Sequence, residues 1–76
     1  MQRSTETLQE YFLARLRRSG GLVTIFLMNG FQLHGVITGY DSFAVLLNSD
    51  GKQQMIYKHA ISTIIPLRPL PMDEEN

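Results

Sequence analysis

From Leu8 onward the apolar residues recur at a helical spacing: Leu8, Phe12 and Leu16 stand at i, i+4 and i+8 with Tyr11 beside them, while Gln9, Arg15 and Arg18 fall off the stripe. Thr7 and Glu10 sit three residues apart, the spacing of a capping box in which each side chain takes the other's backbone N–H. Arg15, Arg17 and Arg18 load the end of the segment with cations that suit the negative end of a helix dipole. Gly20 and Gly21 then stop it. The pattern predicts one amphipathic helix over about residues 7–19, preceded by a flexible N-terminus at residues 1–6.

At Leu22 the period changes from helical to strand-like, and β-branched and aromatic residues dominate as far as Ile65. In the first strand, residues 22–28, Val23, Ile25 and Leu27 form the cleaner core face and leave Phe26 pointing outward. Asn29–Gly30 predicts a type I′ turn, so that residues 31–40 return antiparallel. Leu33 and Ile37 of that strand point inward, and Gly35 and Gly39 on the same face mark bends or bulges. Asp41 and Ser42 make a turn into a third strand, 43–48. Asp50–Gly51 is a second hairpin signal leading to a fourth, 52–57. Residues 58–60 are a tight corner, and 61–65 a fifth strand that Pro66 ends for want of an N–H. Three prolines between residues 66 and 71 and an acidic tip predict a disordered tail over 69–76. The fold class is therefore mainly β with an N-terminal α-helix, a strongly bent five-stranded antiparallel sheet or open barrel over residues 7–68. If the corner at 58–60 keeps strands four and five from pairing, each has an edge open to another subunit.

Composition sharpens this picture. Seventy-six residues make one domain with a marginal core, and with no cysteine neither disulfides nor thiolate metal sites reinforce it, which leaves self-association. No segment has a signal peptide's apolar core or the ~20 apolar residues of a membrane span, so a soluble, cytoplasmic protein is expected. Formal net charge is zero, yet three of the seven acidic residues, Asp73, Glu74 and Glu75, lie in the tail. Seven Lys/Arg thus face four Asp/Glu in the body, a basic excess that an oligomer multiplies over one surface.

Two histidines, His34 and His59, with scattered carboxylates Asp41 and Asp50, show neither metal-ligand spacing nor a nucleophile and base pair. Asp41 reads as a cap for its own turn, and no cofactor is called for. Single-stranded nucleic acid needs flat aromatic faces, cations for phosphates and amides for base edges. All three types are here, and the stretch QMIYKHAIST (residues 54–63) holds Gln54, Tyr57, Lys58 and His59: with Phe43, the last three are expected to cluster near turns at one end of the sheet, and Phe26, Phe31, Gln32 and Gln54 on another face. The competing readings are core aromatics for Phe43 and Tyr57, a subunit contact for Phe26 and Phe31, a solvated strand residue for Gln54 and ordinary helix-end cations for Arg17 and Arg18.

In this order of elements, the segments VTIFLMNGFQLHG (23–35), YDSFAVLL (40–47) and above all QMIYKHAIST resemble Hfq, the bacterial Sm-like RNA chaperone family, over roughly residues 7–68, with wording most like its Gram-positive branch. The resemblance implies a homohexameric ring in which strand four of one subunit pairs with strand five of the next. It implies a proximal, helix-bearing face that holds U-rich RNA through Gln9, Ser42, Phe43, Tyr57, Lys58 and His59, Ser42 standing where many members carry glutamine. It implies a distal face that holds A-rich RNA through Phe26, Gly30, Phe31, Gln32, Leu33, Gln54 and Thr63, Phe26 replacing a tyrosine; His34 falls at a variable polar position nearby. It implies a rim, Arg17 and Arg18, linked to annealing and thinned here by the uncharged Ser19 and Gly20. The partners implied are small regulatory RNAs and mRNAs, further copies of the chain and RNA-decay proteins, with no membrane. An RNP scaffold, a protein-binding adaptor and a nuclease using His59 are the alternatives. The acidic tail is expected to compete with RNA for Arg17 and Arg18.

Overall fold

The computed structural model describes residues 7–71; the expectations for residues 1–6 and for the acidic tip at 73–75 lie outside them. Helix α1 (Leu8–Ser19) begins with the expected capping box: Glu10 N–H donates to Thr7 Oγ1 at 3.0 Å, and Thr7 N–H to Glu10 Oε1 at 3.2 Å. It ends on Gly20, left-handed at φ 66°, a conformation glycine adopts without a Cβ penalty. The buried stripe is rotated from the one expected. Leu13 and Leu16 are its buried residues with Phe12 partly buried beside them, whereas Leu8 is 76 % exposed. At about 100° per residue Leu8 lies some 140° round the helix from Leu13, so one face cannot bury both.

Five strands follow, β1 (Leu22–Leu27), β2 (Gln32–Tyr40), β3 (Ala44–Ser49), β4 (Lys52–Tyr57) and β5 (Ile61–Pro66), with a single 3-10 turn, Lys58–Ala60, between the last two. All pairings are antiparallel in the order β4-β3-β2-β1-β5. Strands adjacent in sequence thus stand at opposite edges: β5 crosses to pair with β1, and β4 and β5 each keep one unpaired side. The 3-10 turn imposes this by sending the chain away, with Met28 N–H donating to Ala60 O at 2.8 Å to pin the crossing. Val23, Ile25, Ile37, Val45, Leu47 and Ile56 meet Leu13 and Leu16 in one core.

The two glycine hairpins differ. At Asp50–Gly51 both residues have positive φ, 59° and 85°, and Ser49 pairs with Lys52, a type I′ connection. At Asn29–Gly30 only the glycine is positive, at 95°. Gly30 N–H donates to Leu27 O at 2.9 Å and Leu27 N–H to Phe31 O at 2.8 Å, which makes a three-residue loop with glycine in its last position. This corrects the expected type I′ turn. The Asn29 side chain, by accepting from Phe31 N–H at 3.0 Å, stabilises the longer loop. Within β2, a bulge between Ile37 and Gly39 bends the strand, and a Cβ on Gly35 would stand 2.4 Å from Asn48 O. Only glycine permits β2 and β3 to approach so closely there.

Candidate nucleic-acid interface

Asp41 builds the turn that displays Phe43. Its Oδ1 accepts from the N–H groups of Phe43 and Ala44, both at 2.8 Å, and Asp41 N–H donates to Ala44 O at 2.9 Å. These two backbone donors, with a smaller attraction from Lys58, hold the Asp41 carboxyl below the usual carboxylate range. The knot leaves Ser42 exposed and Phe43 75 % exposed at the start of β3. An aromatic ring so open gains little from the protein it sits on, and its flat face is free for stacking.

Phe43 O accepts from Lys58 N–H at 2.8 Å, which ties this turn to the end of β4. There Tyr57 and His59, both exposed, stack on each other with centroids 5.8 Å apart and planes 7° from parallel. Half-buried Lys58 lines a cleft of about 230 Å³ together with Gln9, Phe12, Leu13, Val45 and residues 61–64. Gln9 comes to the cleft because it precedes Leu13 by one helical turn, on the inward side of α1. One aromatic, one cation and one amide from three separate segments, Phe43, Lys58 and Gln9, therefore stand at the same end of the sheet, with Ser42, Tyr57 and His59 around them.

The opposite parity of the strands carries a second group. Phe26 is in register with Gln32 on β2 and with Thr63 on β5, so these three form one cross-strand row on the face turned from the core. Exposed Gly30 and Phe31, the latter 68 % exposed, lie in the adjoining hairpin. Two expected members stand apart from the row. Leu33 is in register with buried Ile25 and packs against the core. Gln54 is exposed on β4, in register with Leu47, at the edge of the sheet remote from Thr63.

Arg17 and Arg18 are exposed in the last turn of α1. The Arg17 guanidinium lies over the Tyr40 ring at 5.7 Å, and Arg15 over Tyr11 at 5.6 Å. Neither tyrosine was singled out from the sequence as a partner for a cation. The i, i+4 spacing of Tyr11 and Arg15 is a signal that could have revealed the first pair, whereas Tyr40 reaches Arg17 only through the packing of β2 on α1. Among the described residues no group of three or more His, Cys, Asp or Glu is placed to hold a metal ion, and no helix is long and apolar enough to cross a membrane.

The model of the Hfq protein family matches residues 8–71, the helix and the whole sheet. An RNA-binding protein Hfq from Moorella thermoacetica is 57 % identical over 76 residues, spanning 100 % of this chain and 90 % of that protein. One from Desulforamulus reducens is 62 % identical over 63 residues, spanning 83 % and 79 %, and one from Halalkalibacterium halodurans is 50 % identical over 74, spanning 97 % and 95 %. A crystal structure of Hfq, described as a pleiotropic translational regulator, superposes with a TM-score of 0.75 at 49 % identity, covering 78 % of this chain and 98 % of that one. The bent sheet with its helix is thus the Sm-like fold in its bacterial form, and the chain belongs to the Hfq family of RNA-binding proteins.

Proposed function

We propose that the chain works as a cytoplasmic RNA chaperone, a ring of six copies that binds small regulatory RNAs and mRNAs and so alters their pairing, translation and decay, with RNA-decay proteins among its partners. The observation that carries this reading is the pair of free edges. β4 and β5 follow one another in the chain yet end on opposite sides of the sheet, the arrangement that lets identical copies join head to tail into a closed ring. Such a joint sets the edge bearing Gln54 against the edge bearing Thr63, and so completes from two copies the row that Phe26, Gln32 and Thr63 begin in one.

In this reading the Phe43, Lys58 and Gln9 cluster, with Ser42, Tyr57 and His59, takes U-rich RNA. Phe26, Gly30, Phe31, Gln32, Leu33, Gln54 and Thr63 take A-rich RNA, and Arg17 and Arg18 meet the phosphates of RNAs being paired. No covalent chemistry is needed. A stacked base contributes about 1–3 kcal/mol, and a ring that repeats the pocket multiplies modest contacts by avidity. Titrating U-rich and A-rich oligonucleotides into the native-mass-verified ring tests it. Phe43→Ala and Lys58→Ala are expected to weaken the U-rich ligand about tenfold or more and spare the A-rich one, with Phe26→Ala doing the reverse. Equal losses on both ligands would refute separate faces, and a monomer would refute the ring.

A further inference from the structure

Strand parity carries the face that bears Phe26 one position further. Thr24, Phe26 and Met28 alternate with buried Val23 and Ile25 and with Leu27, which packs against the core, so Met28 leaves the end of β1 on the outward side, next after Phe26. It opens the three-residue loop that Gly30 closes, and that loop is held at three points: Leu27 N–H donates to Phe31 O, Gly30 N–H to Leu27 O and Met28 N–H to Ala60 O. The Met28 side chain itself is 69 % exposed, and Phe31, across the loop, 68 %. The chain has four methionines but no cysteine and no tryptophan, so its thioethers are the groups that a peroxide oxidises most readily. Two of them fall among the described residues. Met55 is 64 % exposed on β4, where alternation turns it to the face opposite Gln54. Met28 is therefore the described thioether that shares a face with the Phe26 row.

We propose that Met28 is an apolar contact of the A-rich site and the point at which hydrogen peroxide turns that site down. The proposal rests on the A-rich reading of the Phe26 row and adds a modification site to it. A thioether is polarisable and unbranched, so it moulds to the edge of an aromatic ring, a nucleobase stacked on Phe26 included. In the reaction one peroxide oxygen is transferred to the sulfur: an S–O bond forms as the O–O bond breaks, the sulfur loses two electrons, and the rest of the peroxide leaves as water. The sulfoxide is polar and chiral, and pressing its oxygen against a base with no hydrogen-bond donor to meet it opposes binding. The hydrogen bonds that hold the loop keep the modified side chain from swinging away with its backbone. The cluster of Phe43, Lys58 and Gln9, with Ser42, Tyr57 and His59, contains no thioether, so the loss is confined to one face.

The test uses the full chain treated with hydrogen peroxide, peptide mass mapping to locate the added oxygen, and titration of A-rich and U-rich oligonucleotides before and after treatment. Wild type is expected to gain oxygen at Met28 and to lose A-rich affinity about threefold or more, with U-rich affinity unchanged. Methionine sulfoxide reductases acting on both epimers are expected to restore it. Met28→Leu is expected to show the same A-rich affinity before and after peroxide, whatever its starting value, and Met55→Leu to keep the wild-type sensitivity. Met28→Gln, polar without any oxidation, is expected to bind A-rich RNA as weakly as the treated wild type. A Met28 that takes up no oxygen, an oxidised Met28 with undiminished A-rich affinity, or an equal loss in peroxide-treated Met28→Leu would overturn the modification site alone. Untreated wild type that binds U-rich but not A-rich RNA would overturn the A-rich reading and the modification site with it.

Discussion

At the scale of single residues, Asp41 positions an aromatic ring by holding the backbone that carries it. Its carboxylate holds the N–H groups of Phe43 and Ala44, and the Phe43 carbonyl in turn holds Lys58 N–H, so one side chain sets both the aromatic and the cation of the cluster proposed to take U-rich RNA. A carboxyl whose pKa is depressed by folding stabilises the fold above its unfolded value of about 3.9 and ceases to do so as pH falls through the lower, folded value. At neutral pH the turn is fully capped. Asp41→Asn, which keeps an acceptor oxygen but loses the charge, is expected to lower the urea midpoint at pH 7 and to weaken U-rich binding while sparing A-rich RNA. The difference from wild type should shrink as pH drops below about 4, where the wild-type carboxylate also gains a proton. Urea unfolding at fixed protein concentration across pH 3–7 checks this; a difference that persists undiminished in acid would assign the effect to shape and not to charge.

Among the elements, α1 shows how far a pattern of apolar residues can be trusted. Leu8, Phe12 and Leu16 make a tidy i, i+4, i+8 stripe, yet Leu13 is 2 % exposed and Leu8 76 %. Leu13→Ala is accordingly expected to cost about 2–5 kcal/mol, Leu8→Ala under about 0.5 and Thr7→Ala, which opens the capping box, about 1. Thermal unfolding of the three variants at one concentration orders them, and a Leu8 effect as large as that of Leu13 would refute this orientation of the helix. The error has a physical source: periodicity defines which residues share a face, but where that face meets the sheet depends on neighbours far away in sequence. The hairpins make the same point. The hairpin at Asp50–Gly51 was legible because its two residues close the turn by themselves, whereas the loop at Asn29–Gly30 depends on the Asn29 side chain and on Ala60 holding Met28. Strand parity likewise placed Phe26 outward, and the capping box, the Gly20 cap and the Asp41 turn were readable from neighbours within three residues. The cation–π pairing of Arg17 with Tyr40 was not, because it joins a helix to the far end of a bent strand.

For the whole molecule, the tension left in the monomer is that Gln54 and Thr63 stand on opposite edges of one sheet. The proposed head-to-tail ring removes it, and in that reading the A-rich site is composite: Phe26, Gln32 and Thr63 come from one copy and Gln54 from the next. Composite sites complement. Pure rings of Phe26→Ala and pure rings of Gln54→Ala are each expected to lose A-rich RNA binding, because every site in them lacks a member. When the two variants are unfolded, mixed in equal amounts and refolded together, a site that draws Phe26 from a Gln54→Ala copy and Gln54 from a Phe26→Ala neighbour has both members intact. Random mixing in a heterologous ring makes about one quarter of the sites whole. Native mass would verify mixed composition, and A-rich RNA titration is then expected to recover that fraction of wild-type stoichiometry at wild-type affinity, while U-rich binding stays constant throughout. Mixed rings that bind no better than the average of the pure ones would place Gln54 and Phe26 in separate sites, and the subunit seam would then serve assembly without taking part in recognition.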